Sequence, residues 1–200
     1  MRTRDRGITY HKYLLTRLAS IFALIAWRFN QAAPNDRAFS LLDLEISFPM
    51  VHETVSSTVL AVVAIVAPAV IIFLVAILAI PGLAASRVLS RGQLLRRKLW
   101  EWNSGWLGLG LSITTTLLIV SGMKNLIGRP RPDMLSRCAP ALARLAESTV
   151  GGYGQDIADR WVLVNQSICT QTDQAIMYDG FRSFPSGHAS STCSWPGRRY

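Results

Sequence analysis

Lys124-Asn125-Leu126-Ile127-Gly128-Arg129-Pro130-Arg131-Pro132 closes an apolar segment, and Pro185-Ser186-Gly187-His188 begins 53 residues after Pro132. The pattern K-x6-R-P followed by P-S-G-H places a lysine, an arginine, a Ser-Gly turn and a histidine where they can grip a phosphate. A phosphate monoester is a dianion, and holding it beside hydrocarbon takes fixed cations and donors. Lys124 supplies a point charge, and Arg131 a planar fork suited to two phosphate oxygens. Pro130 and Pro132 stop the helix and stiffen the backbone around Arg131. Taken alone, these cations also suit interfacial anchors at the end of a membrane span. Pro185 to His188 reads as a tight turn opening a helix. Gly187 lets the backbone come close to a ligand, and the N–H groups of a helix start face an anion. Histidine is the side chain suited to protonating a leaving alkoxide near neutral pH, which gives His188 the role of general acid. A surface histidine in an ordinary turn is the plainer reading of that motif alone; the ordered pair is far more specific.

The elements that carry these residues are apolar. The chain has 200 residues, is 50% hydrophobic and only 16% charged. No charged residue occurs from Thr54 to Ser86, and Val55–Ile80 is almost wholly aliphatic, with Phe73. A bilayer core takes about 20 apolar residues as a helix, so 55–80 is predicted to span. Pro68 is expected to kink this span and Pro81-Gly82 to end it. A second uncharged stretch, Trp102–Met123, ends at Lys124. Its glycines weaken a soluble helix but let membrane helices approach closely. A third predicted span, 13–33, has Arg17 and Arg28 near its ends, where they must snorkel.

The net charge of +9 is distributed as topology signals rather than as a nucleic-acid patch. Residues 1–12 carry net +3, 34–54 net −3 and 81–101 net +4. Under the positive-inside rule this alternation puts the N-terminus and the second loop in the cytosol, with everything after Lys124 outside it. The basic blocks can also touch anionic lipid head groups. Trp100, Trp102 and Trp106 mark an interfacial belt. Asn165-Gln166-Ser167 is a glycosylation sequon, used only in a lumenal or external loop. Cys138 and Cys169 lie in the same loop and can pair in an oxidising lumen; two free buried thiols are the alternative. The expected organisation is a basic cytosolic tail (1–12), three spans within 13–123 (about 13–33, 55–80 and 102–123), an extracytosolic loop with the motifs (124–188) and an aberrant tail (189–200). Within the loop, residues 133–182 are expected to be polar with helical patches, such as 139–150.

With both motifs and this setting, the chain resembles the type 2 phosphatidic acid phosphatases, also called lipid phosphate phosphatases, over roughly residues 8–190. Phe39-Ser40-Leu41-Leu42-Asp43, Ile46-Ser47-Phe48-Pro49 and His52-Glu53 are similar to the first external loop of fungal members. The resemblance implies an all-α, polytopic membrane fold of six helices, of which this chain holds the N-terminal part. It also implies a site on the lumenal or extracellular face of an endomembrane or the plasma membrane. Substrates would be phospholipid phosphate monoesters such as phosphatidate and diacylglycerol pyrophosphate, with no metal or other cofactor. Lys124 and Arg131 would bind phosphate, Ser186 and Gly187 would hold its oxygens, and His188 would protonate the leaving group.

The family's third motif, S-R-x5-H-x3-D, supplies its histidine nucleophile and does not occur in this sequence. After Ala189 the chain is too short, too polar and too broken by Pro196-Gly197 for another span. The expectation is therefore a chain truncated after the second motif and inactive by itself, since the nucleophile carries the covalent step. His11 falls on the cytosolic side, and His52 beside Glu53 reads as an interfacial polar residue. One alternative is a non-catalytic membrane protein that binds phospholipid head groups or full-length partners, with self-assembly left open. Another is a soluble vanadate-dependent haloperoxidase, which shares these motifs but is opposed by the uncharged run at 54–86.

Overall fold

A computed structural model describes residues 2–51, 55–79, 90–157 and 162–193. His52, Glu53, Pro81-Gly82 and the tail from Ser194 lie outside the described residues. The described helices are α1 (Arg2–Gln31), α2 (Ser57–Leu78), α3 (Arg91–Ile127), α4 (Met134–Cys138), α5 (Leu145–Ser148), α6 (Gln174–Gly180) and α7 (Gly187–Cys193), with short 3-10 turns between them. The chain divides into two compact units.

The described residues of the first unit fall within Met1–Trp27, Val55–Ile119 and Gly187–Tyr200. Among the described residues, two helices are long and apolar enough to cross a membrane: Thr58–Leu78 within α2, and α3. Their large side chains are mostly exposed, among them Val62, Ile65, Phe73 and Leu74 of α2 and Leu117 and Ile119 of α3. Exposed apolar surface on that scale needs a non-aqueous neighbour, which a bilayer supplies. Helix α3 begins at Arg91, eleven residues before the uncharged window, because its basic first turns are good helix formers that hydropathy does not detect. Polar groups inside it are satisfied locally. The hydroxyls of Thr114, Thr115 and Thr116 donate to the carbonyls of Gly110, Leu111 and Ser112 at 2.9, 2.7 and 2.9 Å. At Gly105 a Cβ would stand 2.5 Å from Cγ2 of Ile72, so a small residue sets the approach of α2 and α3. Lys98 Nζ donates to the Ile77 carbonyl in the last turn of α2, a favourable place for a cation. Phe73 and Trp102 meet edge to face at 6.0 Å, and the Lys12 ammonium lies 5.1 Å from the Trp100 ring centroid.

The second unit, Arg28–Thr54 with Val120–Ser186, holds a water-type core of Phe39, Ile46, Met134, Cys138, Val162, Val164, Ile168, Met177 and Phe181. The described residues are mostly helical, as expected, and a small sheet is added to that all-α expectation here. Strands β1 (Phe39–Ser40), β2 (Thr149–Gly151) and β3 (Leu163–Val164) form an antiparallel sheet in the order β1-β3-β2. Phe39 and Thr149 both pair with Val164, which is fully buried. Strands of two or three residues are too short for alternation to reveal them in sequence. The patch expected as helix over 139–150 is a 3-10 turn, the four-residue α5 and the start of β2. Cys138 and Cys169 form a disulfide at a sequence separation of 31. Closing a loop of that length stabilises by about 3–4 kcal/mol in chain-entropy terms.

Candidate phosphate site

Main-chain bonds join the first motif to the stretch that precedes the second. Arg131 N donates to Gly180 O at 2.7 Å, and Ser183 N donates to Arg129 O at 3.1 Å. The proline-stiffened segment 129–132 is thereby docked on the stretch that leads into Pro185-Ser186. Gly128, with φ +57°, turns the chain out of α3, and its N–H donates to Lys124 O at 3.1 Å. That is the left-handed glycine stop common at helix C-termini. It sets Lys124 in the last turn of α3 and Arg131 just beyond the turn.

Three expected site residues, Lys124, Arg131 and Ser186, belong to the second unit; Gly187 and His188 are counted with the first. Lys124 is half-buried and Ser186 exposed. Arg131 Nη2 donates to Asp179 Oδ1 at 2.6 Å. Helix α7 starts at Gly187, as the turn-then-helix reading expects. Within the first unit His188 Nε2 lies 3.2 Å from Val55 O. Asn165 opens a 3-10 turn; its Oδ1 accepts from Ser167 N at 3.1 Å and from the Ser167 hydroxyl. Among the described residues no group of three or more His, Cys, Asp or Glu side chains is arranged to hold a metal ion.

Sequence reasoning missed the side chains that hold this arrangement. Arg182 Nε donates to Asn125 Oδ1 at 3.1 Å, and its Nη2 to the carbonyls of Asn30 and Ala32 at 3.1 and 2.7 Å. Burial lowers the Arg182 pKa; Asp179 and then Tyr178 act in the opposite direction. The group remains a cation at any working pH. Asn125, next to Lys124, also donates through Nδ2 to Phe29 O, and its own carbonyl accepts from Asn35 N at 2.9 Å. Beside the motif a cleft of about 350 Å³ is lined by Asp43, Glu45, Phe48, Arg129, Pro132 and Ser183. Arg137 pairs with Asp133 and Asp179. The Asp133/Arg137 spacing of four is a pairing that sequence can offer; Asp179 and Arg182 carry no local signal beyond closeness to Pro185.

Comparison with known proteins gives matches over the same region. The PAP2 superfamily model matches residues 105–196. The chain is 35% identical to the probable diacylglycerol pyrophosphate phosphatase 1 of Schizosaccharomyces pombe, over 78% of this chain and 46% of that protein. It is 30% identical to diacylglycerol pyrophosphate phosphatase 1 of Saccharomyces cerevisiae, over 92% of this chain and 55% of that protein. A shorter match, 35% identical over 46% of the chain and 30% of the relative, is lipid phosphate phosphatase 1 of the same yeast. The chain spans about half the length of the first two relatives. No solved structure matches it.

Proposed function

The chain belongs to the PAP2 superfamily, and from that premise we propose that it serves metal-independent dephosphorylation of phospholipid phosphate monoesters, phosphatidate and diacylglycerol pyrophosphate among them. The observation that carries this reading is the docking of 129–131 on 180–183 by main-chain bonds. It fixes the phosphate-type motif against the approach to Pro185-Ser186-Gly187-His188. Lys124 and Arg131 neutralise the phosphate, with Ser186 and Gly187 as donors to its oxygens. His188 passes its proton to the departing alkoxide. The cleft beside Arg129 is of a size that suits a polar head group. Binding of the phosphate is the part of this reading that Lys124, Arg131, Ser186 and Gly187 carry.

The topology proposed is a cytosolic N-terminus, spans near 13–33, 55–80 and 102–123, and motifs on the lumenal or extracellular face of a six-helix fold. Asn165 in eukaryotic cells is then expected to carry a glycan, and Asn165→Gln to run faster on a denaturing gel. Unchanged mobility would remove that support for a lumenal loop.

The binding reading is tested by titrating the detergent-solubilised chain with inorganic phosphate and with vesicles containing phosphatidate. Arg131→Ala is expected to weaken both by about ten-fold or more. A wild-type chain that binds neither would overturn the proposal.

A further inference from the structure

The first turns of α3 carry more cations than the described chain neutralises. Between Ser90 and Trp102 the helix holds Arg91, Arg96, Arg97 and Lys98 against one carboxylate, Glu101. Lys98 is committed to the Ile77 carbonyl. Among the described residues no carboxylate pairs with Arg91, Arg96 or Arg97. Arg96 and Arg97 are exposed. They precede Trp100 by four and three residues, so the three side chains share one face of the helix. From α1, in the same unit, Lys12 reaches that face: its ammonium lies 5.1 Å from the centroid of the Trp100 ring. A cation–π contact leaves the ammonium its charge. Two helices thus bring three cations to one exposed indole.

We propose that Lys12, Arg96, Arg97 and Trp100 form a discrete site for the head group of an anionic phospholipid of the bilayer. Depth argues for a lipid. Arg97 and Arg96 stand five and six residues before Trp102, where the uncharged stretch of α3 begins. That is about 8–9 Å along the axis, which is head-group depth. Trp100, Trp102 and Trp106 suit the same interface. The proposed topology makes this the cytosolic leaflet, the anionic one. The donor set argues for a phosphate that keeps its negative charge. Each guanidinium fork fits two phosphate oxygens, and the Lys12 ammonium adds a cation from the other helix. A phosphodiester of net negative charge satisfies this set. A choline head group brings one more cation into it and is disfavoured. Occupied, the site ties α1 to α3 through a ligand whose supply depends on the lipid composition of the membrane.

The test titrates the full chain in detergent with dioctanoyl phosphatidylglycerol and with dioctanoyl phosphatidylcholine, and counts bound lipid by native mass spectrometry. Phosphatidylglycerol is a phosphodiester, so the readout does not depend on the phosphate-monoester reading above. It is expected to bind about ten-fold tighter than phosphatidylcholine. Lys12→Gln, Arg96→Gln and Arg97→Gln are each expected to weaken phosphatidylglycerol about five-fold, the loss per cation at a lipid surface, and to leave phosphatidylcholine unchanged. Arg91→Gln removes the same charge from the opposite face of the helix, nine residues before Trp100, and is expected to stay within about two-fold of wild type. Equal losses at Arg91 and Arg96 would mean diffuse surface charge and overturn the inference. A chain with no preference between the two lipids overturns it as well. Displacement of phosphatidylglycerol by inositol hexakisphosphate at equal or lower concentration would make this a site for soluble polyanions and overturn the lipid assignment. If Lys12→Gln does not yield folded protein, the double substitution Arg96→Gln/Arg97→Gln, which leaves the Lys12–Trp100 contact in place, gives the same comparison, with a loss of about twenty-fold expected.

Discussion

Alanine at Gly128 is expected to destabilise the second unit by roughly 3–5 kcal/mol. Two causes add. The residue sits at φ +57°, where a side chain costs about 1–2 kcal/mol. A Cβ there would also fall inside the van der Waals radius of the Asn35 carbonyl oxygen, a backbone atom with no rotamer to escape into. Moving Asn35 would disturb its N–H bond to Asn125 O at 2.9 Å. The loss is read as the thermal midpoint and protease resistance of the solubilised chain, with a fall on the order of 10 °C or more. Phosphate binding is expected to fall with it, because the same turn sets the separation of Lys124 from Arg131. A midpoint within a few degrees of wild type would contradict the account of this turn.

The second large effect is expected at Arg182. One guanidinium serves three acceptors from two separate segments: Asn125 Oδ1 from one, Asn30 O and Ala32 O from the other. Truncation to alanine leaves all three without it, and hydrogen bonds to a charged donor are each worth about 1.5–3 kcal/mol. Water can reach part of this half-buried site, so the expected cost of Arg182→Ala is roughly 3 kcal/mol rather than the full sum. Arg182→Lys keeps the charge but cannot reproduce a planar fork, and about half the loss is expected to remain. Both are measured as thermal midpoints beside wild type. Equal recovery by lysine would mean that charge, and not geometry, is what the site uses.

The contrast between what sequence reveals and what it hides follows from distance along the chain. The phosphate-type motifs are legible because each is local: Lys124 to Pro132 and Pro185 to His188 carry their own turn chemistry. The apolar helices are legible because hydrocarbon demands about 20 residues of one character. The helix around the second of them is longer than the hydropathy signal, since Arg91 to Glu101 is helical without being apolar. The partners of the motif are illegible for the opposite reason. Asp179 lies 48 residues from Arg131, and Arg182 57 residues from Asn125. No periodicity links such pairs; only the folded second unit does. The same holds for the sheet, whose residues Phe39 and Val164 have no pattern around them long enough to read.

The proline spacing in Arg129-Pro130-Arg131-Pro132 has one more consequence. Arg129 and Arg131 spend a carbonyl and an N–H on the 180–183 stretch, while Pro130 and Pro132 have no N–H to offer. The other edge of this segment presents carbonyls alone, and that of Pro132 already accepts from Phe48 N at 2.9 Å. An incoming strand, from another chain or from a misfolded copy, finds no donor to begin a ladder. The segment that presents Arg129 and Arg131 thereby offers no donor for amyloid-type stacking, and the two prolines guard it against aggregation.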